Sequence, residues 1–145
     1  MSRLHLTIPG KPYAWQRTGG SGRNRFTKPK GVAFKALVAQ LVAASGWRGP
    51  AVASPCDLQV LAVYARPKAR PPCAPVDLWK RGIRIPRPGQ QDGDNVQKAC
   101  MDALQRCGVL DDDRFVTSWG GSKVYAAVGE EAHTEVSLYV LTVPE

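Results

Sequence analysis

Gln91-Asp92-Gly93-Asp94-Asn95-Val96-Gln97-Lys98, continued through Asp102 and closed by Gly108 and Asp111-Asp112-Asp113, is the stretch around which the chain is organised. Asp94 is a favoured N-cap residue, and Gln97 three positions on completes a capping-box pattern. Val96, Cys100, Ala103 and Cys107 recur at helical spacing and predict a buried stripe over residues 94–107. Gly108 supplies the residue that commonly ends a helix. On this reading Asp94, Lys98 and Asp102 share the opposite, exposed face. Of twelve acidic residues, six fall between Asp92 and Asp113, in a chain whose formal net charge is +8.

The flanking segments predict what this helix packs on. Residues 3–8 alternate as a strand, with Leu4, Leu6 and Ile8 on one face and His5 on the other. Residues 30–44 carry Phe34, Leu37, Val38, Leu41 and Val42 at helical spacing, with Thr27 as a cap and Pro29 in the first turn. Residues 57–65 are apolar enough for a central strand. Residues 114–125 form a further strand, with a bulge or bend expected at Gly120-Gly121. Residues 134–143 alternate as the last strand and are expected to pair with 114–125 as a hairpin. The predicted order is β-α-β-α-β-β: an α+β (α/β) domain with a small mixed sheet of about four strands and two helices packed on one face. One domain over residues 1–145 is expected, with no internal repeat.

Two segments resist regular structure. Residues 11–28 mix glycines with Tyr13, Trp15, Phe26 and the cations Arg17, Arg23, Arg25 and Lys28. They read as a phosphate-contacting arm with aromatics available for unpaired bases, or as a plain solvated loop. Residues 66–88 hold seven Lys or Arg against one Asp and are rich in proline. That density is expected to forbid a regular helix or central strand, leaving an extended basic loop with Lys68, Arg70, Lys80 and Arg81 as nucleic-acid contacts.

Composition excludes several classes. No apolar run approaches the roughly 18–20 residues of a membrane span. The start lacks a signal-peptide core, so a cytoplasmic location is expected. Cys56, Cys73, Cys100 and Cys107 form no C-x-x-C pair, so free thiols are expected and not a zinc site. The sequence pI of about 9.6 favours nucleic acid as partner. Membrane binding is the weaker option, because no amphipathic helix concentrates the cations.

Carboxylates are the hard oxygen ligands that Mg²⁺ prefers, and Mn²⁺ is expected to substitute. In extended chain Asp92 and Asp94 point the same way, so both can face one ion. If the segment after the helix folds back, one of the acids at 111–113 completes the set. Such an ion polarises a phosphate and lowers the pKa of bound water. Lys98 can offset charge on phosphorus. An EF-hand starting at Asp92 is excluded, since Gln97 and Ala103 stand where Gly and Glu belong. A phosphatase-type D-x-D would end an apolar strand, whereas Arg87-Pro88-Gly89-Gln90-Gln91 precedes this one.

Asp92-Gly93-Asp94-Asn95-Val96-Gln97-Lys98, then Asp102-Ala103-Leu104, Gly108 and Leu110-Asp111-Asp112, resembles the RusA family of Holliday junction resolvases, common in phages and prophages. The family pattern is D-x-D-N-L-x-K, D-A-L, a D-D pair and a strand. The resemblance implies Asp92, Asp94 and Asp112 as catalytic, metal-binding acids and Lys98 as the essential lysine. Asn95 and Asp102 match motif positions of less defined role. The triple Asp leaves Asp111 and Asp113 as alternatives to Asp112. Gly93 replaces an aliphatic residue of the family, Gln90-Gln91 stands where a proline often precedes the first Asp, and the 66–88 loop is longer than in compact members. The expected function is a homodimeric, Mg²⁺-dependent endonuclease that resolves branched DNA by paired nicks during recombination and repair. The rival readings are a non-catalytic basic nucleic-acid-binding module and a metal nuclease for flaps or duplex DNA.

Overall fold

The computed structural model describes residues 3–14, 29–88 and 92–141, the side chains of residues 92–94 excepted. The elements are β1 (Arg3–Pro9), α1 (Pro29–Ala44), β2 (Cys56–Tyr64), α2 (Val76–Lys80), β3 (Ile85–Pro86), α3 (Asp92–Arg106), a 3-10 turn (Asp113–Phe115), β4 (Val116–Tyr125) and β5 (His133–Val140). They form an α+β domain around one five-stranded mixed sheet of order β1-β5-β2-β4-β3.

Alternation decides the layers. Leu4, Leu6 and Ile8 of β1, Leu58, Val60 and Ala62 of β2, and Val136 and Leu138 of β5 are buried. With Phe34, Val38 and Val42 of α1 and Val96, Ala99, Cys100, Ala103 and Leu104 of α3 they make one core. Both long helices cover the same face, as the two apolar stripes require. Tyr13, expected in a DNA-contacting arm, instead stacks on Phe34 with ring centroids 4.9 Å apart. Residues 15–28 of that arm, including Thr27, lie outside the described residues.

The strand order corrects the expected hairpin. β4 and β5 are not neighbours: β2 lies between them, parallel to β4 and antiparallel to β5. A parallel neighbour needs a crossover, and α3 supplies it, so β2-α3-β4 is a β-α-β unit. Sequence adjacency of β4 and β5 yields to burial, because β2 is apolar enough to need a partner on both edges. The connection between β4 and β5 passes the end of β2, where Ala126 N donates to Tyr64 O at 2.7 Å, and reaches β1, where Gly10 N donates to Ala132 O at 3.2 Å.

The proline-rich stretch is more ordered than expected. α2 begins directly after Pro75, and β3 pairs with Tyr125 and Val124 at the sheet edge, where a proline is tolerated. Arg66 staples this arm. Its guanidinium donates to Trp79 O (2.8 Å), Ile83 O (3.0 Å) and Ala126 O (3.3 Å) and lies 3.9 Å from the Trp79 ring centroid. Arg84 fixes the far end through Glu130 and Glu135.

The glycine pair makes no bulge. The irregularity in the β2–β4 register lies between Cys56 and Asp57, opposite Val116 and Ser118. Among the described residues no helix is long and apolar enough to cross a membrane. The cysteines are free; burial pushes the Cys100 thiol up to about 12, which leaves it an inert core group.

Candidate active site

α3 starts at Asp92, two residues earlier than expected. Asp94 is therefore inside the first turn and not the N-cap, and the extended geometry assumed for Asp92 and Asp94 is replaced by helix. Their side chains lie outside the described residues. Asn95 is half-buried, Lys98 is exposed, and Asp102 is half-exposed.

Gln97 does not serve as a capping-box residue. It is buried at 9% exposure, and its Nε2 donates to Gly120 O of β4 at 2.6 Å. Gly121 permits this. A Cβ on Gly121 would stand 2.7 Å from Val60 O and 3.0 Å from Gln97 Nε2, so a side chain there would displace the helix or the strand. One on Gly120 would meet only the end of the Gln59 side chain, at 2.6 Å. The first turns of α3 are thus locked against the middle of β4 by a buried amide, which costs dearly if left unpaired. Gly-Gly in a strand was the available sequence signal, and close approach was its meaning.

The second acidic group sits elsewhere. Val109 N and Leu110 N both donate to Leu104 O, at 3.0 and 3.2 Å, so the segment entering Asp111-Asp112-Asp113 starts from the last turns of α3. Leu110 bridges to Val52, and Asp111 N donates to Val52 O at 3.0 Å. Asp112 caps the 3-10 turn, its Oδ1 accepting from Arg114 N at 2.9 Å. The Arg114 N–H, followed by the Asp113 side chain, holds the Asp112 carboxyl below its ordinary range. Asp111 and Asp113 are exposed.

From Asp94 to Leu104 a helix rises roughly 15 Å, whereas two oxygens on one Mg²⁺ are at most ~4 Å apart. The segment that carries Asp111-Asp112-Asp113 thus leaves from the far end of α3, while the side chains of Asp92 and Asp94 lie outside the described residues. Among the described residues no three His, Cys, Asp or Glu group as a metal site. Asp102 faces α1, where its Oδ2 is 2.9 Å from Lys35 Nζ, and so joins the two helices.

Of the cations expected to contact DNA, Arg17, Arg23, Arg25 and Lys28 lie outside the described residues. Lys68, Lys80, Arg81 and Arg70 are exposed on the arm, Arg70 also donating to Ala74 O at 2.8 Å. Arg66, Arg84 and Arg87 are engaged within the protein: Arg87 lies 3.9 Å from the Tyr64 ring centroid. The one-sided charge of the segment thus divides into structural arginines and an outward set of four.

The sequence matches the family described as Endodeoxyribonuclease RusA over residues 9–139, nearly the whole chain. No curated protein matches it.

Proposed function

The chain belongs to the RusA endodeoxyribonuclease family, and on that footing we propose that it resolves four-way DNA junctions by paired symmetric nicks, as a homodimer that depends on Mg²⁺. The observation that carries this reading is the D-x-D-N-x-x-K run of residues 92–98 at the start of α3, inside the family match.

Asp92, Asp94 and one of the acids at 111–113, Asp112 first among them, would hold the cation. All are hard oxygen donors, as the ion requires. When bound, it polarises the scissile phosphate and lowers the pKa of its water. Lys98, one turn beyond Asp94, offsets the negative charge that grows on phosphorus. Lys68, Arg70, Lys80 and Arg81, with Arg17, Arg23, Arg25 and Lys28, hold the DNA backbone. The setting is the cytoplasm of a bacterial or phage-infected cell.

The separation of the acids along α3 supports the dimer. A two-fold pair that sets the start of one α3 beside the Asp111-Asp112-Asp113 segment of its partner makes two equivalent composite sites. Two sites related by a two-fold axis match a junction of the same symmetry.

The test compares nicking of a four-way junction, a flap and a linear duplex of matched sequence, with and without Mg²⁺. The junction alone should be cut efficiently, and only with the metal. Asp94→Asn should abolish cutting while junction binding persists. Equal loss of binding and cutting would make Asp94 a structural residue. Salt-sensitive binding without cutting in either Mg²⁺ or Mn²⁺ would identify a non-catalytic binding module.

A further inference from the structure

Trp119 of β4 is 62% exposed, although Leu58, its partner across the parallel pair, is 0% exposed. Residues directly opposite in a pair share a face, so the indole lies on the helix-covered side of the sheet but outside the cover. β4 has a short outer neighbour: β3 pairs with Val124 and Tyr125, Arg87 N donates to Lys123 O at 3.0 Å, and among the described residues no strand pairs with β4 on that side at Trp119. The next residue on the same face is Gly121, which has no side chain, and the space above it holds the Gln97 amide. The indole therefore lies two residues along the strand from the position on which the first turns of α3 pack.

The surroundings say what such a ring accepts. No other large apolar side chain of β4 is exposed among the described residues, and Ser118 and Ser122, at alternate positions, belong to the other face of the strand. A protein partner needs a contiguous apolar patch of hundreds of Å², which one ring does not make. A flat ring the size of the indole does suit a single nucleobase, because stacking needs only one open π-face. The formal charge of +8 on the chain favours a polyanionic partner.

We propose that Trp119 is a stacking platform for a nucleobase left unpaired at the branch of the DNA, beside the strand held at the start of α3. This rests on the branched-DNA reading above. Stacking rewards an unstacked base and offers nothing to an intact duplex, so Trp119 contributes to junction preference and not to general DNA affinity.

The experiment measures binding of a four-way junction carrying 2-aminopurine at the branch, and of a linear duplex of the same sequence, in metal-free buffer. Wild type, Trp119→Ala and Trp119→Phe are compared over a range of salt. Trp119→Ala should bind the junction about 10-fold more weakly, within the range known for loss of one base–aromatic stack. Duplex binding should change less than about 2-fold, and the slope of log affinity against log salt should not change, because no phosphate contact is lost. Trp119→Phe should keep most of the preference, and the 2-aminopurine quench should vanish in Trp119→Ala alone. Unchanged junction affinity, or equal loss on both DNAs, overturns the proposal. So does a changed oligomeric state in sedimentation, which would assign the indole to a protein interface. If wild type itself shows no preference for the junction, the branched-DNA reading has failed and takes this proposal with it. A preference that survives Trp119→Ala removes only the stacking platform.

Discussion

Gly121→Ala and Gly120→Ala differ by one position along β4 and should differ sharply in cost. A Cβ at 121 meets Val60 O at 2.7 Å and Gln97 Nε2 at 3.0 Å. The first is backbone of a central strand with partners on both sides and cannot yield cheaply. Overpacking of this kind costs about 1–3 kcal/mol. Loss of the Gln97–Gly120 bond leaves a buried amide unpaired, a further cost of ~1–3 kcal/mol if it breaks completely. Replacing glycine by alanine returns roughly 0.4–1 kcal/mol through the unfolded chain. The net for Gly121→Ala is a destabilisation of about 1–4 kcal/mol, or ~2–4 °C in Tm for each kcal/mol in a domain of this size. At 120 the nearest atoms to the Cβ are Gln59 Oε1, Nε2 and Cδ, at 2.6, 3.1 and 3.2 Å, the end of an exposed side chain whose bonds to Asp57 are 3.0 and 3.2 Å long. Swinging that tip away forfeits a surface contact, and the net should lie within about 0.5 kcal/mol of zero. Urea unfolding at neutral pH, read by circular dichroism, measures both. Nicking by the folded fraction of Gly121→Ala should also slow, because the start of α3 is displaced. A Gly120→Ala variant as destabilised as Gly121→Ala would refute the argument that Gly121, and not Gly120, is the position that admits α3.

Other consequences concern the arm and the charges. Arg66→Met removes the guanidinium that three carbonyls and Trp79 share. Amide exchange should rise across residues 66–88 while α3 and β2 keep their protection, and equal protection throughout would mean that the staple is idle. The hydrogen bonds from Arg84 hold the Glu130 carboxyl at about 2, below its ordinary 4.5. Because the folded value is the lower one, this contribution is present above pH ~4.5 and is lost as pH falls through about 2. Glu130→Gln should therefore flatten the acid limb of the stability–pH curve between those values and leave the neutral-pH slope alone. Asp102→Asn breaks a pair with Lys35 whose side chains are 45% and 23% exposed, so it should cost under about 1 kcal/mol by urea unfolding and leave nicking intact. A loss of nicking like that of Asp94→Asn would place Asp102 in the chemistry.

The periodic parts of the fold could be read directly from the chain. Phe34, Val38 and Val42 declared α1, the stripe of Val96, Cys100 and Ala103 declared α3, and the alternation in residues 3–8 declared β1, because burial on one face writes its own period. What could not be read is which strands meet. The pairing of β4 and β5 was inferred from adjacency, but the strong apolar character of β2 drew one of them to each of its edges. Proline density argues against a helix in residues 66–88, yet a proline just before a helix is compatible with it, and α2 starts directly after Pro75. The acids were legible as a group and their arrangement was not. A helix of 15 residues stands between the two acidic segments, and sequence spacing alone does not say how far it carries one from the other. Gln97 was hidden by its fit to a capping pattern, since the same amide serves a cap or a strand carbonyl.

Mixed dimers test the central claim most directly, that acids from the two ends of α3 meet only between two copies. Asp94→Asn and Asp112→Asn proteins, each inactive alone, are mixed under conditions that exchange subunits and assayed on a four-way junction with Mg²⁺. If each site takes Asp92 and Asp94 from one protomer and Asp112 from the other, every mixed dimer holds one intact site. Nicking should return, and the product should be junctions cut on one strand and not resolved. A mixture as inactive as its two components would contradict the composite site.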